Sequence, residues 1–276
     1  MPVSDEVDAS TTAPEGPALP INELFASLQG EGKLAGVPST FVRTSGCNLR
    51  CWFCDSYHTS WEPTHAWMGV EDVVAAVDER DPDHVVLTGG EPTIHEESFE
   101  LLRRLGDDYH LTVETNGTVV PPEDTPIDLA SISPKLATST PTPDRPPAGA
   151  GGDGVADAAD AEAADADPKA TDWTERHEAN RIDVDALVTL VERYESQLKF
   201  VVTGPEDMSE ITDLVEHVRD AASVQIPDHE VLLMPEGQTR EQLAETRTTV
   251  AELAAEYGFR YTPRIHVDLW NDAPET

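Results

Sequence analysis

Ser39-Thr-Phe-Val-Arg-Thr-Ser-Gly-Cys47-Asn-Leu-Arg-Cys51-Trp-Phe-Cys54 is the stretch on which the reading of the fold turns. Ser39–Thr44 reads as a strand, and it delivers the chain into a loop that carries all three cysteines of the protein. Three thiolates from one short loop hold three corners of a cube-shaped iron–sulfur cluster. The fourth iron then stays open to a small molecule that receives an electron. Zinc competes for the same loop, because Cys47, Cys51, Cys54 and His58 also make a Cys3His set. A disulfide fits three neighbouring cysteines poorly. Gly46 before the first cysteine and Trp52-Phe53 before the last favour iron–sulfur, since aromatic neighbours shield a cluster from water and tune its potential.

Acid dominates the rest of the chain. Its 276 residues hold 54 Asp and Glu against 18 Lys and Arg, a net charge of −36, and the lysines are Lys33, Lys135, Lys169 and Lys199. Such a surface repels phosphate backbones and argues against nucleic-acid binding. Acid spread through the predicted helices as well as the loops points to a halophile, where salt screens the self-repulsion. An apolar fraction of 38% suffices for a core. No stretch approaches the ~20 apolar residues of a membrane span. The acidic amino terminus carries no signal-peptide pattern, and cysteines kept as thiols predict a cytoplasmic protein.

Residues 1–18 are rich in Ser, Thr, Pro and acid and read as a disordered tail, leaving one domain over 19–276. A Pro-, Gly-, Ala- and Asp-rich segment at about 136–180 reads as a low-complexity acidic insertion, with Trp173 its only large anchor. A linker between two domains is the other reading, but the motifs on both sides serve one site. Composition makes the insertion padding rather than a lid.

Between these segments strands and helices alternate. Strands are expected at Ser39–Thr44, His84–Thr88, Leu111–Thr115, Leu129–Ser133, Leu198–Val202 and Glu230–Met234, with a last one near Arg264 and His266. Helices are expected at Val70–Glu79, Glu97–Leu105, Asp183–Tyr194, Glu206–Ala221 and Arg240–Tyr257. This is an α/β pattern with a parallel sheet. Thr88-Gly-Gly-Glu-Pro92, Glu114-Thr-Asn-Gly117 and Ser133-Pro-Lys135 each follow a strand, where parallel sheets place their sites.

These residues carry a resemblance. CNLRCWFC, with an aromatic before its last cysteine, resembles the signature of the radical S-adenosylmethionine (SAM) superfamily, and TGGEP resembles that superfamily's motif for the SAM amino group. Phe25-Ala-Ser-Leu-Gln-Gly-Glu-Gly32, Gly36, Phe41-Val-Arg43, Cys54-Asp-Ser56, Glu114-Thr-Asn-Gly117, Ser133-Pro-Lys135, Gln197-Leu-Lys-Phe-Val201 and Leu233-Met-Pro-Glu-Gly237 together resemble the 7-carboxy-7-deazaguanine synthase family. The likeness covers most of residues 20–270 outside the insertion.

The resemblance implies an incomplete β/α TIM-like barrel of the radical SAM type. It implies a carbon–nitrogen lyase, in which a reduced [4Fe–4S] cluster cleaves SAM to a 5′-deoxyadenosyl radical. That radical, rather than a side chain, is the reactive species that attacks 6-carboxy-5,6,7,8-tetrahydropterin. The ring contracts to 7-carboxy-7-deazaguanine with loss of ammonia, on the route to queuosine or archaeosine in tRNA. Cys47, Cys51 and Cys54 would ligate the cluster. Phe53, Cys54, Asp55, Gly90, Glu114, Asn116, Ser133, Pro134 and Lys135 would bind SAM, and Ser56 would bind Mg2+. Leu28, Gln29, Gly30, Glu31, Arg43, Thr88, Gln197 and His266 would meet the substrate, with the planar fork of Arg43 on its carboxylate. A flavodoxin- or ferredoxin-type electron donor and a homodimer are also implied. A bland reading stands beside each weaker member: a strand-end ion pair for Arg43, sheet polarity for Gln197 and Lys199, a core histidine for His266. A glycyl-radical-enzyme activase shares the cysteine loop, and FASLQGEG with Arg43 argues against it. A zinc-stabilised binding protein is the non-enzymatic alternative.

Overall fold

The computed structural model describes residues 12–146, 168–271 and 273, with the backbone alone for 168–172. In chain order its elements are β1 (Ala18–Leu28), β2 (Pro38–Thr44), α1 (Tyr57–Ser60), β3 (Ala66–Gly69), α2 (Val70–Asp78), β4 (His84–Gly89), α3 (Glu96–Leu105), β5 (His110–Thr115) and β6 (Leu129–Ile132). There follow α4 (Pro168–Asn180), α5 (Val184–Arg193), β7 (Ser196–Val202), α6 (Met208–Ala221), β8 (Val231–Pro235), α7 (Arg240–Tyr257), β9 (Arg260–Tyr261) and α8 (Ile265–Trp270). Local chemistry marks several starts. The Asp183 carboxylate accepts the Ala186 N–H at 2.9 Å, and Thr239 and Gln242 close a capping box on α7.

The strands form one sheet in the order β3-β1-β2-β4-β5-β6-β7-β8-β9. From β2 through β9 every neighbouring pair is parallel, while β1 joins β2 and β3 antiparallel. The two edge strands do not close on each other, so the sheet is an open, incomplete barrel. Its nine strands exceed the sequence expectation because β1 and β3 escaped notice. The β1 strand pairs on both sides and is buried on both faces for much of its length, so period-2 alternation is weak there.

Side chains alternate across the sheet. On the outer face Leu24, Val42, Val85, Leu87 and Val113 pack against α2 and α3, and Ile132, Leu198, Phe200, Val231 and Leu233 pack against α5, α6 and α7. The alternate residues therefore share the inner face. At its lower end His84 joins Ser39 at 2.7 Å and Thr112 at 2.8 Å. Above that layer Phe25 and Phe41 stack at 5.1 Å against Val86. Above them, at the strand carboxyl ends, stand Arg43, Thr88, Glu114, Ser131 and Gln197.

The lower layer has a thermodynamic consequence. Burial, helped by His110, pushes His84 down to about 4, and burial does the same to His177. An unfolded imidazole takes its proton near 6.5. Stability is therefore full above pH 6.5 and falls as pH drops toward 4, by about 2 kcal/mol per ring at pH 5. Guanidinium unfolding at pH 7 and pH 5 in high salt should show this slope, and His84→Gln should remove one ring's share of it.

The expected tail lies partly outside the described residues, at 1–11. Thr12–Pro17 is exposed coil, and Ala18 already belongs to β1. The insertion divides in the same way. Residues 147–167 lie outside the described residues, but a 3-10 turn at Ala137–Ser139 and the helix α4 flank them. The flanks of the segment are thus structured, which its composition conceals. The strand expected around Arg264 and His266 is also corrected: β9 ends at Tyr261, Arg264 caps α8, and His266 lies in that helix.

Candidate functional site

The cysteine loop leaves β2 at the carboxyl end of the sheet and is held from all sides. All three thiols are free and none is paired in a disulfide. The Ser60 hydroxyl donates to Cys54 Sγ at 3.1 Å, and the Leu49 N–H approaches Cys47 Sγ at 3.4 Å. Trp61 Nε1 donates to the Cys51 carbonyl at 2.9 Å. The 137–139 turn takes the Trp52 N–H on Ser139 O at 3.1 Å and the Trp52 indole on Thr138 O at 2.8 Å. Gln238, beyond β8, donates to the Phe53 carbonyl at 3.3 Å. Burial raises all three thiols, with the Glu91 carboxylate adding to Cys47, and Cys54 reaches about 12. A positive metal centre supplies the charge that such buried sulfurs need as thiolates.

No three His, Cys, Asp or Glu side chains among the described residues gather as the ligand set of one metal ion. His58 is exposed and is not gathered with the three cysteines into a Cys3His set. Three soft sulfurs presented by one loop are a donor set that fits a polynuclear iron–sulfur group.

The Gly89-Gly90 turn after β4 seats directly on this loop. The Gly90 N–H donates to Thr44 O at 3.1 Å and the Glu91 N–H to Gly46 O at 2.8 Å. The fully buried Glu91 accepts the Thr93 hydroxyl at 2.6 Å, the Thr115 hydroxyl at 2.9 Å and the Asn116 N–H at 2.6 Å. It thereby ties the ends of β4 and β5 together. Asn116 in turn donates to Asn48 in the cysteine loop at 2.9 Å and accepts from Thr118. Its amide is thus engaged with protein groups rather than presented to a ribose. Ser133 accepts Lys135 Nζ at 2.7 Å beside the buried Pro134. Ser133 and Lys135 thus set a hydroxyl and an ammonium side by side after β6.

Glu114 accepts Gln29 Nε2 at 3.2 Å and the Thr88 hydroxyl at 2.8 Å, joining the turn after β1 to β4 and β5. Arg43 pairs with Glu23 at 2.7 Å across the β1–β2 ladder and also reaches Ser56 Oγ at 3.1 Å. The strand-end ion pair expected as the bland reading is therefore real, yet one guanidinium nitrogen faces the loop that follows Cys54. Ser56 donates to Asp55 at 3.3 Å, which sets two hard oxygens side by side where the cysteine loop ends. Gln197 is buried, donating to Ser131 at 2.8 Å and accepting the Lys33 N–H at 2.8 Å.

Beside Arg43 lies a buried charge network that the sequence shows only in fragments. Glu31 accepts Lys199 Nζ at 2.5 Å and Arg264 Nε at 3.0 Å, with His266 at 3.9 Å. Arg264 also donates to Gly237 O at 2.5 Å and to Asp55. Burial alone would raise the Glu31 carboxyl, but Lys199, Arg264 and His266 outweigh it and hold it well below the carboxylate range. His266 packs on Gly30, where a Cβ would lie 1.8 Å from its Nδ1, so only glycine admits the ring. The Ile265 N–H donates to Gly30 O at 2.9 Å, docking α8 on the Leu28-Gln29-Gly30 segment.

Glu236 and Gln238 were not singled out as site residues by sequence. Glu236 is half-buried, and burial raises its carboxyl. It and Gln238 follow β8, so the rule that sites gather after parallel strands would have found them.

An open parallel sheet, with a three-cysteine loop after its first parallel strand and a Gly-Gly turn after the next, defines the radical SAM class. Residues 41–130 match the Radical SAM superfamily. A 7-carboxy-7-deazaguanine synthase of Halobacterium salinarum is 57% identical over all of both chains. That of Rhodopirellula baltica is 36% identical over 96% of this chain and 91% of its own. The chain belongs to the 7-carboxy-7-deazaguanine synthase family. The fold is like that of QueE from Escherichia coli, with a TM-score of 0.56 at 23% identity over 90% of this chain and 95% of that one.

Proposed function

We propose that this chain is a radical SAM lyase that contracts 6-carboxy-5,6,7,8-tetrahydropterin to 7-carboxy-7-deazaguanine, with loss of ammonia, in 7-deazapurine biosynthesis. The observation that carries the substrate is the Arg43 guanidinium 3.1 Å from Ser56 Oγ, two residues beyond Cys54. A carboxylate seated there meets a planar cationic fork and a hydroxyl for Mg2+ at once.

Membership of the radical SAM superfamily brings a [4Fe–4S] cluster and SAM. Bound together they supply a hydrogen-abstracting radical. Cys47, Cys51 and Cys54 hold the cluster, and the shell of Leu49, Trp52 and Trp61 keeps water from it. Phe53, Asp55, Gly90, Glu114, Ser133, Pro134 and Lys135 receive SAM. Asn116 acts one step back, by holding Asn48 and so the cysteine loop. Leu28, Gln29, Gly30, Thr88 and Gln197 frame the pterin, whose amide-like edge needs paired donors and acceptors. Glu31, Lys199, Arg264 and His266 keep the carboxyl-terminal helix and the cysteine loop in one rigid wall around the ring.

The acid bias, together with the Halobacterium relative, supports a halophile's cytoplasm. No helix among the described residues is long and apolar enough to cross a membrane. A small acidic electron carrier of the flavodoxin or ferredoxin type would reduce the cluster, and the chain works as a homodimer.

Anaerobic reconstitution in high salt, followed by reductant, SAM, Mg2+ and 6-carboxytetrahydropterin, should give 7-carboxy-7-deazaguanine by mass spectrometry. Formation of 5′-deoxyadenosine alone would overturn the substrate. Zinc without acid-labile sulfide would overturn the chemistry. Arg43→Ala should raise the pterin KM by about 10- to 100-fold, the worth of a charge-assisted contact. SAM cleavage without substrate should stay within about twofold, and equal loss of both activities would contradict the role of Arg43.

A further inference from the structure

The helix α4, at the end of the acidic insertion, reaches the cysteine loop through one fully buried residue. His177 has no exposed surface. Its Nδ1 receives the backbone N–H of Arg50, the residue immediately before Cys51, at 3.1 Å, and its Nε2 meets Ser139 Oγ at 2.8 Å. A backbone N–H only donates, so Nδ1 must present a lone pair. The ring is then neutral, and its single proton sits on Nε2, directed at Ser139. The Ser139 hydroxyl, in turn, donates to Leu136 O at 2.6 Å.

Other contacts fix the helix in this position. The Arg50 guanidinium lies 4.2 Å from the Trp173 ring centroid. The Thr174 hydroxyl donates to Pro141 O at 2.6 Å, and Thr140 donates to Glu178 at 2.7 Å. Arg181, just beyond the helix, ties Glu178 at 2.8 Å to the Lys135 carbonyl at 3.1 Å. Two walls of the cysteine loop, the 137–139 turn and α4, therefore meet at one imidazole.

We infer that His177 is a positioning residue for the iron–sulfur cluster: it fixes the backbone between Cys47 and Cys51 and ties it to the 137–139 turn. The end of the insertion is thus part of the cluster site rather than padding. Partners that stand one step behind a metal ligand set its orientation and its electronics.

The inference rests on the cluster reading of the three cysteines, and the test separates the two. Wild type, His177→Ala, His177→Asn, Ser139→Ala and a control, Val191→Ala on α5, are reconstituted anaerobically. Iron and acid-labile sulfide, the cluster midpoint potential, its electron paramagnetic resonance spectrum and iron loss to a chelator are then measured without substrate. His177→Ala should lose iron about 10- to 100-fold faster than wild type, the usual effect of removing such a partner. Its potential and spectrum should depart from those of wild type, and Ser139→Ala, which frees the Nε2 side of the ring, should depart by less. His177→Asn, whose amide oxygen keeps an acceptor for the Arg50 N–H, should recover most of the retention of iron. Val191→Ala, destabilised in the core away from the loop, should match wild type in potential and spectrum. Wild-type potential, spectrum and iron loss in both His177 variants would overturn the inference while leaving the cluster reading intact. The same changes in Val191→Ala would reduce His177 to general stability and overturn it too. Absence of sulfide in wild type would instead remove the cluster reading itself.

Discussion

Arg264→Ala should cost about 3–5 kcal/mol of stability at pH 7, the loss found when one member of a buried ion pair is removed. The variant should also fail to turn over the pterin. The reason lies in what the side chain leaves behind. Arg264 is 6% exposed, and its guanidinium serves Glu31, Gly237 O and Asp55 together. Without it, Glu31 keeps Lys199 and the more distant His266, while the Gly237 carbonyl and Asp55 lose a fixed donor. Three segments then lose their common tie: the turn after β1, the turn after β8 and the cysteine loop. Arg264→Lys restores the charge but not the three-way fork, and should recover less than half of the loss. The pH dependence has a definite sign. The folded-state pKa of Glu31 is depressed, so its contribution is complete above the unfolded value near 4.5 and is lost as pH falls below it. The gap between wild type and Arg264→Ala in guanidinium unfolding should accordingly be widest above pH 5 and narrow below pH 4. A gap that is flat with pH, or below about 1 kcal/mol at pH 7, would show that the network is incidental.

Gly90→Ala should abolish cluster incorporation while leaving a folded protein. A Cβ at this position would lie 2.2 Å from Gly46 O and 2.8 Å from Thr59 O, both backbone atoms that no rotamer change can move away. Such overpacking costs about 1–3 kcal/mol, and relief comes by pushing Gly46 outward. Gly46 immediately precedes Cys47, so the displacement passes straight into the three-sulfur geometry. Gly36→Ala is the contrast. Its φ of +91° also disfavours alanine, but nothing lies within 4 Å of the added carbon. It should cost only the backbone strain of about 1–3 kcal/mol and retain its iron. Iron and sulfide per chain after anaerobic reconstitution distinguish the two. Equal iron content in both variants would show that the contact between the Gly-Gly turn and the cysteine loop does not shape the site.

Much of the fold was legible because its strands and helices announce themselves in short range. His84–Gly89 and Val231–Pro235 are apolar runs ended by turn residues, and Arg240–Tyr257 begins in a capping box. Strands β1 and β3 were not legible, since one lacks alternation and the other has four residues. The helix α4 was hidden for a different reason. Its neighbours in sequence are Ala, Asp and Pro, and composition averaged over a window hides Trp173, Thr174 and His177, whose value lies in contacts 33 to 127 residues away. The carboxyl-terminal turn misled in the opposite direction: Arg260–Tyr261 is a strand of two residues, and the chain then turns into a helix.

The sequence alone determined the chemistry of the loop. Three cysteines within eight residues, with no fourth in the chain, specify a soft-metal site, and the motifs after the following strands narrow it to a cluster with one open position. It also determined that polar loops follow successive parallel strands, because strand and turn propensities are local. Only the tertiary structure decided which charges are bound to one another. Glu31, Asp55, Lys199 and Arg264 are as much as 233 residues apart, and whether each is a solvated surface charge or a buried partner depends on the packing of β1, β7 and α8. It likewise decided that Asn116 holds the cysteine loop and that His177 closes over it. Hydrogen-bond partners and desolvation are properties of the assembled sheet edge, and no local pattern in the chain encodes them.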